Sequence, residues 1–112
     1  MPKTNVLFIC GRNRLRSPTA ECIFADVAEL NVTSAGLNPN AETPVDGDLI
    51  AWANVIFVME PIHKKKLVSK FKLSLKNKKI ICLDIPDQYD YMQPELITLL
   101  HEKVFRFFGF PR

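Results

Sequence analysis

Val6-Leu7-Phe8-Ile9-Cys10-Gly11-Arg12-Asn13-Arg14-Leu15-Arg16-Ser17-Pro18 is the stretch from which the fold of this chain is read. Four consecutive apolar residues lead into a cysteine, a polar loop follows, and a helical pattern begins at Pro18. An apolar run of this kind reads as a strand covered on both faces. A cysteine at the C-terminal end of such a strand stands where open α/β sheets bind ligands. The loop amides and the helix N-terminus together make an anion site, because unpaired N–H groups and the helix dipole both favour negative charge. Five residues separate Cys10 from Arg16, enough chain to curl round one tetrahedral anion. The guanidinium would then face the sulfur across that anion and hold two of its oxygens in a fork. Composition alone produces Cys-x5-Arg followed by Ser or Thr in roughly 1% of such chains. The strand before it and the helix after it set this loop apart from an ordinary basic turn.

Outward from that loop, strands and helices alternate. A strand over 4–10 precedes a helix over about 17–29, with Ala20, Phe24 and Val27 on one face and Ile23 alongside. Ser17 and Pro18 suit the N-cap and first helical position. Asn31-Val32-Thr33-Ser34 alternates over a short span and reads as an edge strand. A turn-rich loop from Ala35 to Asn40 leads to a helix over about 44–53 carrying Val45, Leu49 and Trp52. Val55-Ile56-Phe57-Val58-Met59 is a further buried strand, and Pro61 opens a lysine-rich helix ending near Phe71. Lys79-Ile80-Ile81-Cys82-Leu83 is the fourth strand. A loop over 84–91 follows, then a helix from Pro94 with Leu96, Leu100, Val104 and Phe107 on its inner stripe. Four strands alternating with helices argue a parallel, doubly wound, three-layer α/β sheet.

Composition narrows the classes of function. At 112 residues the chain is expected to form one domain, 1–112. Apolar content of 47% and charge of 24% are ordinary for a soluble globular protein. No apolar run approaches the length of a membrane helix, so no membrane partner is expected. Three cysteines at irregular spacing make neither a secreted disulfide framework nor a zinc pattern, and no metal or cofactor is expected. The reading is a cytoplasmic protein with reduced thiols. Net charge is +3, with eight lysines gathered between Lys64 and Lys79. Only Phe71 interleaves with them, so this run reads as a solvated face and nucleic acid is not the expected partner.

The same residues carry a family resemblance. Val6-Leu7-Phe8-Ile9-Cys10 through Arg16-Ser17-Pro18-Thr19-Ala20-Glu21 resembles the amino-terminal signature of the low-molecular-weight protein tyrosine phosphatases, and is especially similar to a short bacterial branch of predicted phosphatases. The resemblance implies strand order 2-1-3-4, which agrees with the second strand reading as an edge. It also implies a loop that cradles phosphate after strand 1, with Cys10 as nucleophile and Arg16 stabilising the transferring phosphoryl group.

Cleaving a phosphate monoester through cysteine needs four things: a thiolate, a cradle for the equatorial oxygens, a cation on the transition state and an acid for the leaving oxygen. The helix end and Arg16 both favour the charged form of the Cys10 sulfur. Gly11, Arg12, Asn13, Arg14, Leu15 and Arg16 make the cradle, which a phosphate or sulfate ion should fill. The acid comes from a neighbouring loop, and the one after strand four holds Asp84, Asp87 and Asp90. The family's acid lies in an Asp-Pro-Tyr motif often preceded by Ile-Pro. Ile85-Pro86-Asp87-Gln88-Tyr89 matches with Gln88 in place of proline, which assigns the acid, and the base of the second step, to Asp87, with Asp84 as fallback.

By resemblance, Asn13 helps hold the strained backbone of the cradle and Ser34 supports that asparagine. Ser17 donates to the thiolate, and Tyr89 forms one wall for an aromatic leaving group. Cys22 and Cys82 are expected as core packing, and His63 and His101 as surface or capping residues.

The chain is shorter than the family's typical members, the missing length falling mainly between Gly36 and Asn54. No aromatic flanks the substrate there; Asn38-Pro39-Asn40 occupies the region. Arg12 replaces a small residue, and Leu15 stands where many members carry a second cysteine. The expected activity is hydrolysis of aryl phosphates, protein phosphotyrosine or a small aryl ester, through phosphocysteine. The alternatives are a non-catalytic phosphate-recognition module and, less favoured, arsenate reduction on the same fold.

Overall fold

The computed structural model describes residues 3–109. Four parallel strands, β1 (Thr4–Cys10), β2 (Leu30–Gly36), β3 (Val55–Val58) and β4 (Lys79–Cys82), form one sheet in the order β2-β1-β3-β4. Four helices connect or follow them: α1 (Arg16–Phe24), α2 (Gly47–Trp52), α3 (Pro61–Phe71) and α4 (Pro94–Phe108). The topology is that of a doubly wound α/β sheet, with β2 at the edge as its short alternating sequence suggests.

Side chains of β1 alternate between two cores, as a pleated strand requires. Val6, Phe8 and Cys10 join Phe24 of α1 and Leu96, Leu100 and Val104 of α4. Leu7 and Ile9 join Ile50 of α2 and Leu67 of α3 on the other face. The first core is aromatic: the Phe8 ring stacks between Phe24 and Phe57, at 5.6 and 5.3 Å between centroids. This alternation turns Cys10 toward the α1 layer, where the following helix begins.

Three elements depart from the sequence pattern by more than one residue. Helix α1 stops at Phe24 rather than near 29, because β2 must enter the sheet level with β1, Leu30 pairing with Thr4. Residues 25–29 turn the chain back, with Val27 N–H bonded to the Phe24 carbonyl and Leu30 N–H to that of Val27. Helix α2 begins at Gly47 instead of Pro44, capped by Asp46, whose side chain accepts from Leu49 N–H at 2.9 Å. Pro44 bridges to Gly36 instead, with Val45 N–H on the Gly36 carbonyl at 2.9 Å. β2 in turn is longer than 31–34, because hydrogen bonding to β1 carries it on to Gly36.

Cys22 was expected in the core and is exposed. Two residues before Phe24, it lies about 200° round the helix from that buried side chain. Cys82 is half-buried, Met59 fully buried, and Trp52 packs partly buried against the second core. His101 stacks on Phe105 and meets Phe24 edge-on. No helix among the described residues is long and apolar enough to cross a membrane.

Candidate active site

Cys10 is the last residue of β1, and the chain past it is shaped by what packs beneath it. Leu37 N–H donates to the Cys10 carbonyl at 3.0 Å, Asn38 N–H to that of Gly11 at 2.9 Å, and Glu42 N–H to that of Arg12 at 3.1 Å. Three successive loop carbonyls are thus drawn toward the segment after β2. Gly36 makes that approach possible. A Cβ there would lie 2.5 Å from the Ala41 Cβ, 2.7 Å from the Gly11 carbonyl oxygen and 2.9 Å from the Asn13 nitrogen. Asn13 turns the loop at φ +58°, a conformation asparagine tolerates better than most residues.

The Cys10 sulfur lies 2.9 Å from Ser17 Oγ and accepts from Asn13 N–H at 3.2 Å. Ser17 was expected to cap α1, but the helix begins one residue earlier, with Leu15 at the cap position and no side-chain cap bond. Its hydroxyl faces inward, donating to Asn13 Oδ1 at 3.0 Å. One proton on Ser17 faces two acceptors. While it rests on Asn13, a neutral Cys10 thiol can donate to Ser17; once the sulfur is ionised, Ser17 is placed to donate to it. Ser34, implied as the support of Asn13, instead donates to Glu21 Oε1. The hydroxyl bonded to Asn13 comes from Ser17, within the loop's own helix.

Arg16 is buried and pinned from two other strands' ends. Its Nη1 donates to Glu60 Oε2 at 2.6 Å, just past β3, and to the Ile85 carbonyl at 2.7 Å, past β4. Nε lies 3.8 Å from Asp87 Oδ1. With Nη1 engaged in both its hydrogens, the Nε–Nη2 edge of the guanidinium is what remains for an anion.

Glu60 closes a capping box on α3. Its side chain accepts from the His63 backbone N–H, while Glu60 N–H donates to His63 Nδ1 at 3.2 Å. A neutral His63 therefore carries its proton on Nε2, 3.8 Å from Glu60 Oε2. Burial, and then the Arg16 guanidinium, hold His63 below the ordinary histidine range, with Glu60 opposing them.

These groups surround a cleft of about 620 Å³ lined by Cys10, Gly11, Arg12, Arg14, Leu15, Arg16 and, across from the loop, Glu60, Ile62, His63, Lys66 and Asp87. Of the three acids in the loop after β4, Asp87 alone lines it. Asp84, two residues past β4, is exposed at φ +56°, and Asp90 is exposed as well. Tyr89 is not among the lining residues; it packs partly buried against the first core. The lysine-rich stretch contributes only Lys66 to the lining.

Glu60 and Gly36 escaped the sequence reading, and His63, expected as a surface or capping residue, does cap α3 but is buried and lines the cleft. An acid directly past a strand neighbouring the cysteine's own strand was the available signal for Glu60, since all such strand ends share one edge. No group of three or more His, Cys, Asp or Glu residues among the described residues could hold a metal ion.

Comparison with known proteins agrees with this layout. Residues 5–54 match the family model of the low molecular weight phosphotyrosine protein phosphatases. A curated relative, the protein-arginine-phosphatase of Bacillus subtilis (strain 168), is 28% identical over 60% of this chain. That match spans 63% of the relative's length. The YwlE arginine phosphatase of Geobacillus stearothermophilus superposes with a TM-score of 0.75 at 20% identity, covering 95% of this chain and 93% of its own. The tyrosine phosphatase Wzb of Escherichia coli K30, solved with phosphate, gives 0.74 at 19%, covering 94% and 96%. At these identities the solved structures establish the shared fold.

Proposed function

We propose, for a chain that belongs with the low-molecular-weight phosphotyrosine protein phosphatases in sequence signature and fold, a cysteine-dependent phosphatase activity on aryl phosphate monoesters, protein phosphotyrosine foremost. The observation that carries this reading is the Cys10 sulfur, 2.9 Å from Ser17 Oγ, in a cleft that Arg16 and Asp87 also line. The phosphate sits in the loop of residues 11–16, two of its oxygens on the Nε–Nη2 edge of Arg16. The Cys10 thiolate attacks phosphorus, the ester P–O bond breaks, and Asp87 gives its proton to the departing phenolic oxygen. Asp87, now a carboxylate, takes a proton from the water that attacks phosphocysteine. The S–P bond breaks and returns the thiolate with inorganic phosphate. Glu60 and the Ile85 carbonyl hold the guanidinium so that it need not reorganise as charge develops. Reduced Cys10 and residues 1–112 working as one cytoplasmic domain complete the reading.

A second substrate class comes from the relatives whose names state arginine phosphatase activity. Phosphoarginine hydrolysis breaks a P–N bond and releases a guanidinium. Arg12, Arg14 and Lys66 line the cleft, and none has an ion-pair partner among the described residues. Three cations disfavour a cationic product and favour acidic groups beside the phosphate, which supports phosphotyrosine. Arsenate reduction is disfavoured, since no second cysteine lines the cleft among the described residues.

Turnover of para-nitrophenyl phosphate, phosphotyrosine and phosphoarginine by wild type and Cys10→Ser tests all of this. Wild-type turnover of the two aryl esters, abolished in the variant, is expected. Phosphate binding with no turnover of any ester would leave the recognition module as the better reading. A higher kcat/KM for phosphoarginine would move the substrate class.

A further inference from the structure

Most residues lining the cleft above Cys10 are charged or polar in type, yet three aliphatic side chains from three separate elements line it as well. They are Leu15 ahead of α1, Leu37 after β2, and Ile62 in the first turn of α3. Leu37 is buried, whereas Leu15 is 36% and Ile62 48% exposed. A single exposed isoleucine is unremarkable on any surface. Three aliphatics beside an anion cradle are different, because the organic group of a bound ester must leave the cradle along this cleft. The next residue along α3, His63, has its Nε2 4.0 Å from the position a Cβ on Gly11 would take, so the start of α3 reaches the loop. No Phe, Tyr or Trp among the described residues lines the cleft, and Tyr89 is packed away against the core.

We infer that Ile62, with Leu15 and Leu37, is the wall on which the aromatic ring of the substrate packs, and that it sets a preference for aryl over alkyl phosphates. The inference rests on the phosphatase reading above and adds a residue to it. Arg16 and the loop fix the phosphate end, so the ring's direction is constrained before it meets any side chain. An aliphatic surface against one ring face excludes water from it without demanding a hydrogen bond, which suits phenyl groups of varied substitution. Phosphoserine has no ring to bring to Ile62 and gains nothing there. Ile62 touches the organic group alone and takes no part in bond cleavage.

The experiment uses the full chain as wild type, Ile62→Ser, Ile62→Leu and Val68→Ser. Steady-state kinetics on phenyl phosphate and phosphotyrosine are paired with inhibition by inorganic phosphate. Ile62→Ser should raise KM for both esters about fivefold to tenfold, the loss expected from re-exposing one ring face. The inhibition constant of inorganic phosphate should stay at the wild-type value, since phosphate does not reach Ile62. Ile62→Leu should restore KM. Val68→Ser, on the same helix, 38% exposed and outside the cleft, should change neither quantity. Unchanged KM in an active Ile62→Ser enzyme overturns the wall. So does a matching loss of phosphate affinity, which marks a disturbed loop rather than a lost ring contact. If wild type turns over no ester, the phosphatase reading falls. The wall is then judged by titrating phenylphosphonate against inorganic phosphate. Tighter binding of phenylphosphonate to wild type, lost in Ile62→Ser, keeps it; equal binding overturns it.

Discussion

Residues 10–17 and residues 83–93 leave the same edge of the sheet and meet at Arg16, but they are held in different ways. The first segment is fixed along its length. Its carbonyls bond to residues 37–42, Gly36 packs beneath it, and Asn13, Arg16 and Ser17 are buried. The second is suspended from a few points. Leu83 and Ile85 N–H groups bond to the Val58 and Met59 carbonyls at 2.8 Å, and Met92 N–H bonds to Thr19 Oγ1 at 2.9 Å. Between those points the Asp87 side chain is 65% exposed. Binding a phosphoryl group benefits from donors that are already in place. Proton transfer to a leaving oxygen needs only reach at the moment of departure. The difference between the segments follows that division of labour.

Removing the proposed nucleophile from the fixed segment is the harshest test of that division. Cys10→Ser should drop turnover below detection while phosphate still binds, because the cradle and Arg16 remain. Calorimetric titration with phosphate alongside the kinetics checks both halves. Activity near wild type would take Cys10 out of the reaction.

The suspended segment should show a loss that depends on the leaving group. Asp87→Asn should slow phenyl phosphate by about 10²–10⁴-fold if it is the sole acid. An ester with a low-pKa leaving group should lose much less in its burst phase, where cysteine is phosphorylated. Asp84→Asn should affect both substrates little, as Asp84 is exposed and outside the cleft. The reverse pattern would exchange the two roles.

A smaller effect separates the segments by stability. Gly36→Ala forces a methyl onto loop backbone atoms at 2.7 and 2.9 Å and should cost about 1–3 kcal/mol. Phosphate affinity should fall with it. Gly47→Ala meets nothing within 4 Å and serves as the control. Thermal melting of both variants decides whether the fixed segment depends on its glycine support.

The smallest effect concerns His63, which adjoins both segments. Burial and Arg16 lower its pKa, Lys66 adds to this, and Glu60 and Asp87 oppose. The folded histidine therefore binds its proton later than the unfolded one as pH falls. Stability present above the unfolded value, about 6.5, is lost as pH drops through it toward the folded value. Melting temperature measured from pH 7.5 to 5.5 should fall in wild type, and His63→Gln should flatten that slope. An unchanged slope would mean other groups carry it.

The local pattern was sufficient for the strands and for the loop, because both depend on periodicity and on short-range spacing, while the strand order was what the family resemblance implied. The apolar run ending in Cys10, the turn to α1, the edge character of β2 and the inner stripe of α4 are visible as strings of residue types. So is the placement of Cys10 and Arg16 on one loop, since five residues cannot separate them far. What sits across the cleft is another matter. Glu60, Ile62 and His63 lie some fifty residues downstream, and only the packing of β3 beside β1 brings them to Arg16 and the Cys10 loop. The same holds for Ser34, whose partner is Glu21 rather than Asn13, and for Tyr89, turned toward the core instead of the cleft. Sequence states which side chains a segment offers; which of them face a common space is decided by strand order, register and the direction in which each buried neighbour pulls the backbone.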